Sequence, residues 1–439
     1  MKYILSLICF LIALTVVPAQ AQSMQLDEAT ESKIAALEEQ VIAWRRDFHE
    51  HPELSNREFR TAEKVAAHLK QLGMEVTTGV AHTGVIGLLK GGKPGPVVAL
   101  RADMDALPVT ERVDLPFASK QTALYNGEEV GVMHACGHDT HVAMMMGVAE
   151  VLAGMQSVLK GTVKFIFQPA EEGPPAGEEG GAKLMVKEGV LTNPDVDAAF
   201  ALHIDALTET GYINYNAGGT FASADDLYIK VKGEQSHGAF PWLGVDPIVT
   251  SAHIITALQT IVSRQVPLIE QAAVVTIGSI HGGNRGNIIP EEVEMVGTIR
   301  SLDPEVRDNI HKQVRRIATN VAESMGATVE VAIGEQMAYP VTYNNPTLTD
   351  EMTPVLSAIA GEGRTYVRKP ETGAEDFAYF AELVPGFYFM LGGRPSDVPL
   401  SETADHHTPD FYIDESSLIL GVRAMTAVAL AYMENHTGD

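Results

Sequence analysis

Cysteine is nearly missing from this sequence: two occur in 439 residues, Cys9 and Cys136. Basic residues are scarce as well, with 31 Lys and Arg against 57 Asp and Glu, a formal net charge of −26. There is no low-complexity tract and no short-period repeat. Past the N-terminus no stretch reads as long and apolar enough to span a membrane. Each absence excludes something. So acidic a surface repels phosphate backbones, which argues against a nucleic-acid partner, and it repels anionic membranes too. The plain reading of the charge is a solubility surface. Two cysteines, one of them in a leader, exclude an internal disulfide framework.

The leader is MKYILSLICFLIALTVVPAQAQS. One cation, Lys2, precedes an apolar run from Tyr3 to Val17, and Ala19-Gln20-Ala21 closes it. A charged start, an apolar middle and a small-x-small end read as a bacterial-type signal peptide, residues 1–21, cut after Ala21. The expectation is export to the periplasm or beyond, with no membrane contact after cleavage. Cys9 follows Ile8 rather than a small residue, which speaks against a lipoprotein signal. Losing Lys2 takes the charge from −26 to −27 and leaves Cys136 as the single thiol. Such a thiol is either inert and buried or chemical.

Hydrophobic residues at 45% and charged residues at 20% describe a soluble globular chain, long enough for two or three domains. Apolar spacing predicts helices over Glu31–Arg46 and Arg57–Leu72, the second ended by Gly73. Strand character follows at 85–89, 97–105, 161–172 and 198–204, with a helix at 144–155 between them. This alternation predicts an α/β sheet covered on both faces. The texture changes near Gly211. A strand (225–234), a helix (246–266), two strands (272–283, 291–300), a helix (304–324) and a strand (327–333) give the ferredoxin-like order β-α-β-β-α-β. Helix 347–361, strand 386–393 and helix 415–433 restore the first texture. The expected organisation is one discontinuous catalytic domain, 22–213 and 334–439, with a satellite inserted at 214–333.

What is present in quantity is metal-ligating chemistry. In MHACGHDTH, His134, Cys136, His138, Asp139 and His141 crowd into eight positions around a glycine turn. Thiolate and imidazole suit zinc, manganese, cobalt or nickel, with carboxylates completing the shell. Cys136 and His138 cannot close a site alone. Further ligands stand where other strands end: Glu171-Glu172 after KFIFQPA, His203 in ALHID, and His406-His407 in a polar loop. Ligands gathered at strand ends match the crevice of open α/β sheets. Consecutive carboxylates point in different directions. One can hold metal while its neighbour takes a proton from water and returns it to a departing amine. Singly, each of these residues has an ordinary structural explanation; together and in this order they point to a metal centre.

The segments ALRADMDALPVTE (99–111), MHACGHDTHVAMMMG (133–147), GTVKFIFQPAEEG (161–173), ALHI (201–204), SHGAFPWLGVDPI (236–248), GNIIPEEVEMVGTIR (286–300), AEDF (374–377) and HHTPDF (406–411) resemble the metal-dependent amidohydrolases that include hippurate hydrolases, N-acyl-amino-acid hydrolases and plant auxin-conjugate hydrolases. These belong to the aminoacylase and glutamate-carboxypeptidase group of metallopeptidases. The resemblance covers nearly all of the chain after the leader. It implies a metallopeptidase-type catalytic domain, its mixed sheet covered by helices, and an α+β satellite for dimerisation or lid closure. It places Cys136, His138, Glu172, His203 and His407 on two divalent cations, with Cys136 shared between them. Manganese or zinc is implied, cobalt or nickel being alternatives. Glu171 falls on the general base, and Asp105 on the carboxylate that orients a ligand imidazole. His237 falls on a histidine that polarises the substrate carbonyl in the partner subunit of a homodimer. Asn287 and Arg300 fall near groups that meet a substrate carboxylate. Trp242 stands where many relatives have histidine, and would supply an apolar or stacking wall. The implied activity is hydrolysis of an N-acyl amino acid, hippurate-like or related. A dipeptidase or carboxypeptidase of the same chemistry is the alternative, and a non-catalytic metal-binding scaffold the distant one. The presence of Glu171 speaks against the last.

Overall fold

The structure is a computed structural model that describes residues 26–268 and 272–437. The expected signal peptide lies outside the described residues. An eight-stranded mixed sheet forms the larger body. Its strands run, from one edge, Glu75–Val80, Gly84–Lys90, Lys160–Gln168, Lys93–Asp103, Ala198–Glu209, Gly386–Arg394, Ile213–Tyr215 and Thr365–Val367. The four from Lys160–Gln168 to Gly386–Arg394 are mutually parallel, so their carboxyl ends open on one side.

Strand alternation explains why both faces are covered. On Lys93–Asp103, Val98, Leu100 and Ala102 join one core layer, which includes residues of helices His138–Gly154 and Leu418–Asn435. Ala99 faces the other layer, with Ala182, Met185 and Phe380. Helix Leu418–Asn435 is long and apolar enough to cross a membrane, contrary to the sequence expectation, but 72% of its apolar window is buried inside the protein. It is a core helix, and its uniform apolarity reflects contact on several sides.

The first predicted helix is two. Asp27 caps Glu28–Ala36 by accepting the Thr30 N–H at 2.7 Å. At Leu37 the chain tightens, its N–H reaching the Ile34 carbonyl, and a second helix runs from Glu38 to Glu50. The apolar spacing continues across Leu37, so periodicity alone could not show the break.

The smaller body is an antiparallel sheet in the order Ala273–Gly282, Glu292–Ser301, Ala224–Lys232, Thr328–Tyr339. Helices Pro247–Gln265 and Pro304–Ser324 pack on it around a separate apolar core of residues such as Leu227, Ile254, Met295 and Val314. This is the ferredoxin-like arrangement. It spans residues 224–339, where the sequence suggests 214–333. Ile213–Tyr215 pairs with the large sheet, and the last strand continues past Gly334, through a left-handed φ of +70°, to Tyr339.

Candidate metal centre

The carboxyl ends of the parallel strands deliver the site. Strand Lys93–Asp103 ends at Asp103 and leads to Asp105; strand Lys160–Gln168 leads to Glu171 and Glu172. His138 is the first residue of helix His138–Gly154. The turn into that helix needs Gly137: its φ is +93°, and a Cβ there would strike the Ile204 side chain. The C-terminal loop is pinned to the motif by its backbone, the His407 N–H donating to the Ala135 carbonyl at 2.8 Å. His407 itself (φ +62°) and Ala170 (φ +53°), just before Glu171, occupy left-handed backbone where non-glycine residues are uncommon.

Two triads of donor atoms share one sulfur. Cys136, His138 and His203 form one, and Cys136, Glu172 and His407 the other, the donors of each lying within 4.8 Å of one another. Cys136 Sγ is 3.4 Å from His203 Nε2 and 3.3 Å from His407 Nε2, while His407 Nε2 is 3.1 Å from Glu172 Oε1. Ligands on a common ion with bonds of about 2.0–2.3 Å stand at such separations. Buried His138 Nε2 and Glu172 Oε1 have no hydrogen-bond partner. Orphaned donor atoms converging on one place fit a cation. The five residues expected as ligands are therefore brought together, and two divalent ions fit among them.

The ring orientations agree with ligation. His203 Nδ1 donates to the Ile204 carbonyl, which leaves the Nε2 lone pair toward Cys136. Asp105 Oδ1 lies 3.3 Å from His138 Nδ1, which turns His138 Nε2 toward the glutamates. Asp105 also accepts the Glu171 N–H (3.1 Å), the Glu172 N–H (3.0 Å) and the Ser55 hydroxyl (2.7 Å). One carboxylate thus positions an imidazole and both glutamates. His406, the other half of the histidine pair, is occupied: Nε2 accepts the Ala206 N–H and Nδ1 donates to the Cys136 carbonyl, both at 3.1 Å. The structure thereby distinguishes His407 from its neighbour. Asp139 turns away to Arg45 Nε (2.8 Å) and His49 Nδ1 (2.9 Å). His134 is fully buried, and burial pulls its pKa down to about 4.

Electrostatics point the same way. Burial, then the Glu375, Glu172 and Asp376 carboxylates, push Glu171 well above the carboxylate range. Burial, then Glu172 and Glu171, push the Cys136 thiol up. Burial opposes a charge on His138, but Asp103 and Asp105 outweigh it and raise the imidazole to about 10. Cations held among these groups would favour the charged carboxylate and thiolate and the neutral imidazole. Beneath them, buried Arg101 pairs with Asp103 (2.6 Å), Glu375 (2.8 Å) and Asp376 (3.0 Å), tying strand ends and the AEDF segment into a floor. This floor and the Tyr339 hydroxyl, which donates to the Glu171 carbonyl at 3.3 Å, went unassigned in the sequence. Arg101 and Glu375 do lie inside the segments that carry the resemblance.

The site opens into a cavity of about 610 Å³, lined by Cys136, Glu171, Glu172, His203 and His407 and by Phe221, Tyr339, Arg368, Tyr388 and Met390. His237, Trp242, Asn287 and Arg300 are not among its lining residues. His237 lies on a two-residue strand of the satellite, exposed, its Nδ1 accepting the Ala239 N–H at 3.0 Å. That bond leaves the ring proton on Nε2, the nitrogen free to donate elsewhere. Trp242 is 74% exposed, Asn287 is exposed, and Arg300 is half-buried on strand Glu292–Ser301.

A mixed sheet with a ferredoxin-like insert, and two ligand triads beside a spare carboxylate, define a metal-dependent hydrolase of carbon–nitrogen bonds. The comparisons agree. The chain matches Peptidase family M20/M25/M40 over residues 99–431 and belongs to that family. It is 42% identical to Thermostable carboxypeptidase 2 of Saccharolobus solfataricus over 410 residues, 93% of this chain and 99% of that one. It is 36% identical to N-acetylcysteine deacetylase of Bacillus subtilis over 400 residues, 91% of this chain and 98% of that one. A Bacillus subtilis structure described as a dinuclear metal binding peptidase of the M20 family superposes with a TM-score of 0.74 at 34% identity, covering 91% of this chain and 99% of that one. The protein is accordingly a metal-dependent amidohydrolase or peptidase.

Proposed function

We propose that the enzyme hydrolyses the amide bond of N-acyl amino acids, with Glu171 as general base. The observation that carries the reading is the place of Glu171. It belongs to neither triad that shares Cys136; it groups instead with His138 and Glu172, its Oε2 3.9 Å from His138 Nε2 at the cavity wall, where it reaches the edge of the ligand set without the sulfur. When bound, the two divalent ions, manganese or zinc, polarise the scissile carbonyl and make water more acidic. Glu171 takes the proton from that water and passes it to the departing nitrogen. Asp105 holds His138 and the backbone of both glutamates still while it does so. His237 Nε2–H of the partner subunit donates to the carbonyl oxygen as charge develops there. Asn287 and Arg300 meet the amino-acid carboxylate, and Trp242 walls the same side.

This assignment makes the enzyme a homodimer. It is supported by His237 not being among the residues that line its own chain's cavity, and by the exposed apolar group Phe240, Trp242 and Leu243 close to it in sequence. Export rests on the leader sequence. The 42% identical carboxypeptidase relative favours a second reading, a peptidase of the same chemistry. Steady-state assay of the metal-loaded mature protein on N-acyl amino acids, free dipeptides and N-blocked dipeptides separates the two. The amidohydrolase reading expects the highest kcat/KM on simple N-acyl amino acids; a preference for peptide bonds would replace it.

A further inference from the structure

His141 is the third histidine of MHACGHDTH, and the chemistry above gives it no task. With Asp103 and His138 it brings three donor atoms within 4.8 Å of one another, which by distance alone suits an ion. Its two ring nitrogens are already taken. Nε2 accepts the Ile204 N–H at 2.9 Å, so the ring proton stands on Nδ1, which donates to Asp103 Oδ1. The other oxygen of Asp103 pairs with buried Arg101 at 2.6 Å. His141 therefore has no lone pair left for a cation, and its place in the site needs another explanation.

The two bonds join the elements that carry two ligands. His138 and His141 are three residues apart on helix His138–Gly154 and share one of its faces. Ile204 follows His203 on strand Ala198–Glu209. That strand pairs with Lys93–Asp103 only as far as Arg101 and Ala201. At buried Ile204 the N–H goes to the imidazole in place of a strand carbonyl, which keeps it from being orphaned. The carbonyl of the same residue accepts His203 Nδ1. The His141 and His203 rings also meet edge to face, their centres 4.4 Å apart. The helix that delivers His138 is thus bonded to the very residue that orients His203. We propose that His141 is a positioning residue of the Cys136–His138–His203 metal site: it fixes Ile204, and the Ile204 carbonyl sets the His203 ring. This rests on the assignment of His203 as a ligand, and it gives His141 no contact with ion or substrate.

Two substitutions divide the two bonds. His141→Gln places an amide oxygen near the position of Nε2 and still accepts the Ile204 N–H. His141→Asn places its amide nitrogen near that of Nδ1, keeps the bond to Asp103 and leaves Ile204 without an acceptor. Zinc titrated into the metal-free protein, in competition with a chromophoric chelator, gives a dissociation constant for each ion. In His141→Asn one constant is expected to rise about 10–100-fold, the loss an orienting partner brings, while the other stays within about threefold. His141→Gln should stay close to wild type at both, a rescue that a role in packing alone would not produce. Melting temperature checks each fold. His141→Phe, which keeps a ring against His203, replaces the Asn variant if that one does not fold, with the same loss expected; if the Gln variant does not fold, the loss at one ion alone decides. Unchanged constants in the Asn and Phe variants, or equal losses in Asn and Gln, would overturn the proposal. His203→Ala separates its failure from that of the ligand assignment. If His203→Ala weakens one ion and His141→Asn does not, the role of His141 falls alone. If neither weakens an ion, His203 is no ligand and the proposal falls with it.

Discussion

His407 Nε2 lies 3.3 Å from Cys136 Sγ, although 271 positions separate the two residues. Nothing local forces this proximity. It arises because the loop carrying His407 returns over the parallel strand ends and its backbone is fixed to Ala135. The same sulfur is 3.4 Å from His203 Nε2, so the thiol stands between two imidazoles from different parts of the chain.

Asp105 is expected to govern metal affinity without touching metal. Asp105→Asn keeps the size but weakens the grip on His138 Nδ1 and on the Glu171 and Glu172 amides. Loss of such an orienting partner lowers affinity roughly 10–100-fold. Chelator competition on the purified variant measures it, and unchanged affinity would remove Asp105 from this role.

Glu171→Gln should separate binding from turnover. The amide keeps the volume and cannot shuttle a proton. Turnover is expected to fall by about 10²–10⁴-fold, the range general acid–base catalysis contributes. Metal content by elemental analysis should stay at two ions per chain, because Glu171 lies outside both Cys136 triads.

If His237 serves the partner's cavity, two inactive variants should rescue each other. His237→Ala and Glu171→Gln are each expected to be nearly inactive. After unfolding and refolding together in equal amounts, half the dimers are mixed and each holds one intact site. About a quarter of wild-type activity should return, by the symmetry of a two-fold dimer. No recovery would place His237 in its own subunit's site or outside the reaction.

The satellite should show an acid-sensitive clamp. Burial works against the charge on Asp225, but hydrogen bonds from Arg307 (2.7 and 2.9 Å) and His311 (3.1 Å) outweigh it and hold Asp225 below the ordinary carboxylate range. The folded state then binds fewer protons than the unfolded state over this window, so stability rises with pH across it. The contribution is complete above the unfolded-state value of about 3.9 and is lost as pH falls through the lowered folded value. Asp225→Asn should cost about 1.5–3 kcal/mol near neutral pH. Thermal melts of both proteins should converge below about pH 4; a gap that stays constant with pH would contradict the clamp.

Much of the site is legible in the sequence because its chemistry is dense. HACGHD and PAEE concentrate thiol, imidazole and carboxylate in short windows at strand ends, where few structural roles need them. Which histidine of His406-His407 faces the sulfur is not legible, since it depends on backbone groups of Ala206 and Cys136 that only the tertiary fold brings near. Arg368 has no local signal at all: in TYVRKPE it reads as one more surface cation. The ferredoxin-like order follows from alternation and length. The bend at Leu37 and the reach of the last satellite strand to Tyr339 do not, because each is set by packing rather than pattern.

The most direct measurement is anomalous diffraction from crystals of the manganese-loaded enzyme, collected so that the ions are located independently of the protein atoms. The account predicts two peaks on either side of Cys136 Sγ, one also bound by His138 and His203, the other by Glu172 and His407. A single ion away from the sulfur, or a His407 ring withdrawn from Cys136 in the loaded protein, would contradict it.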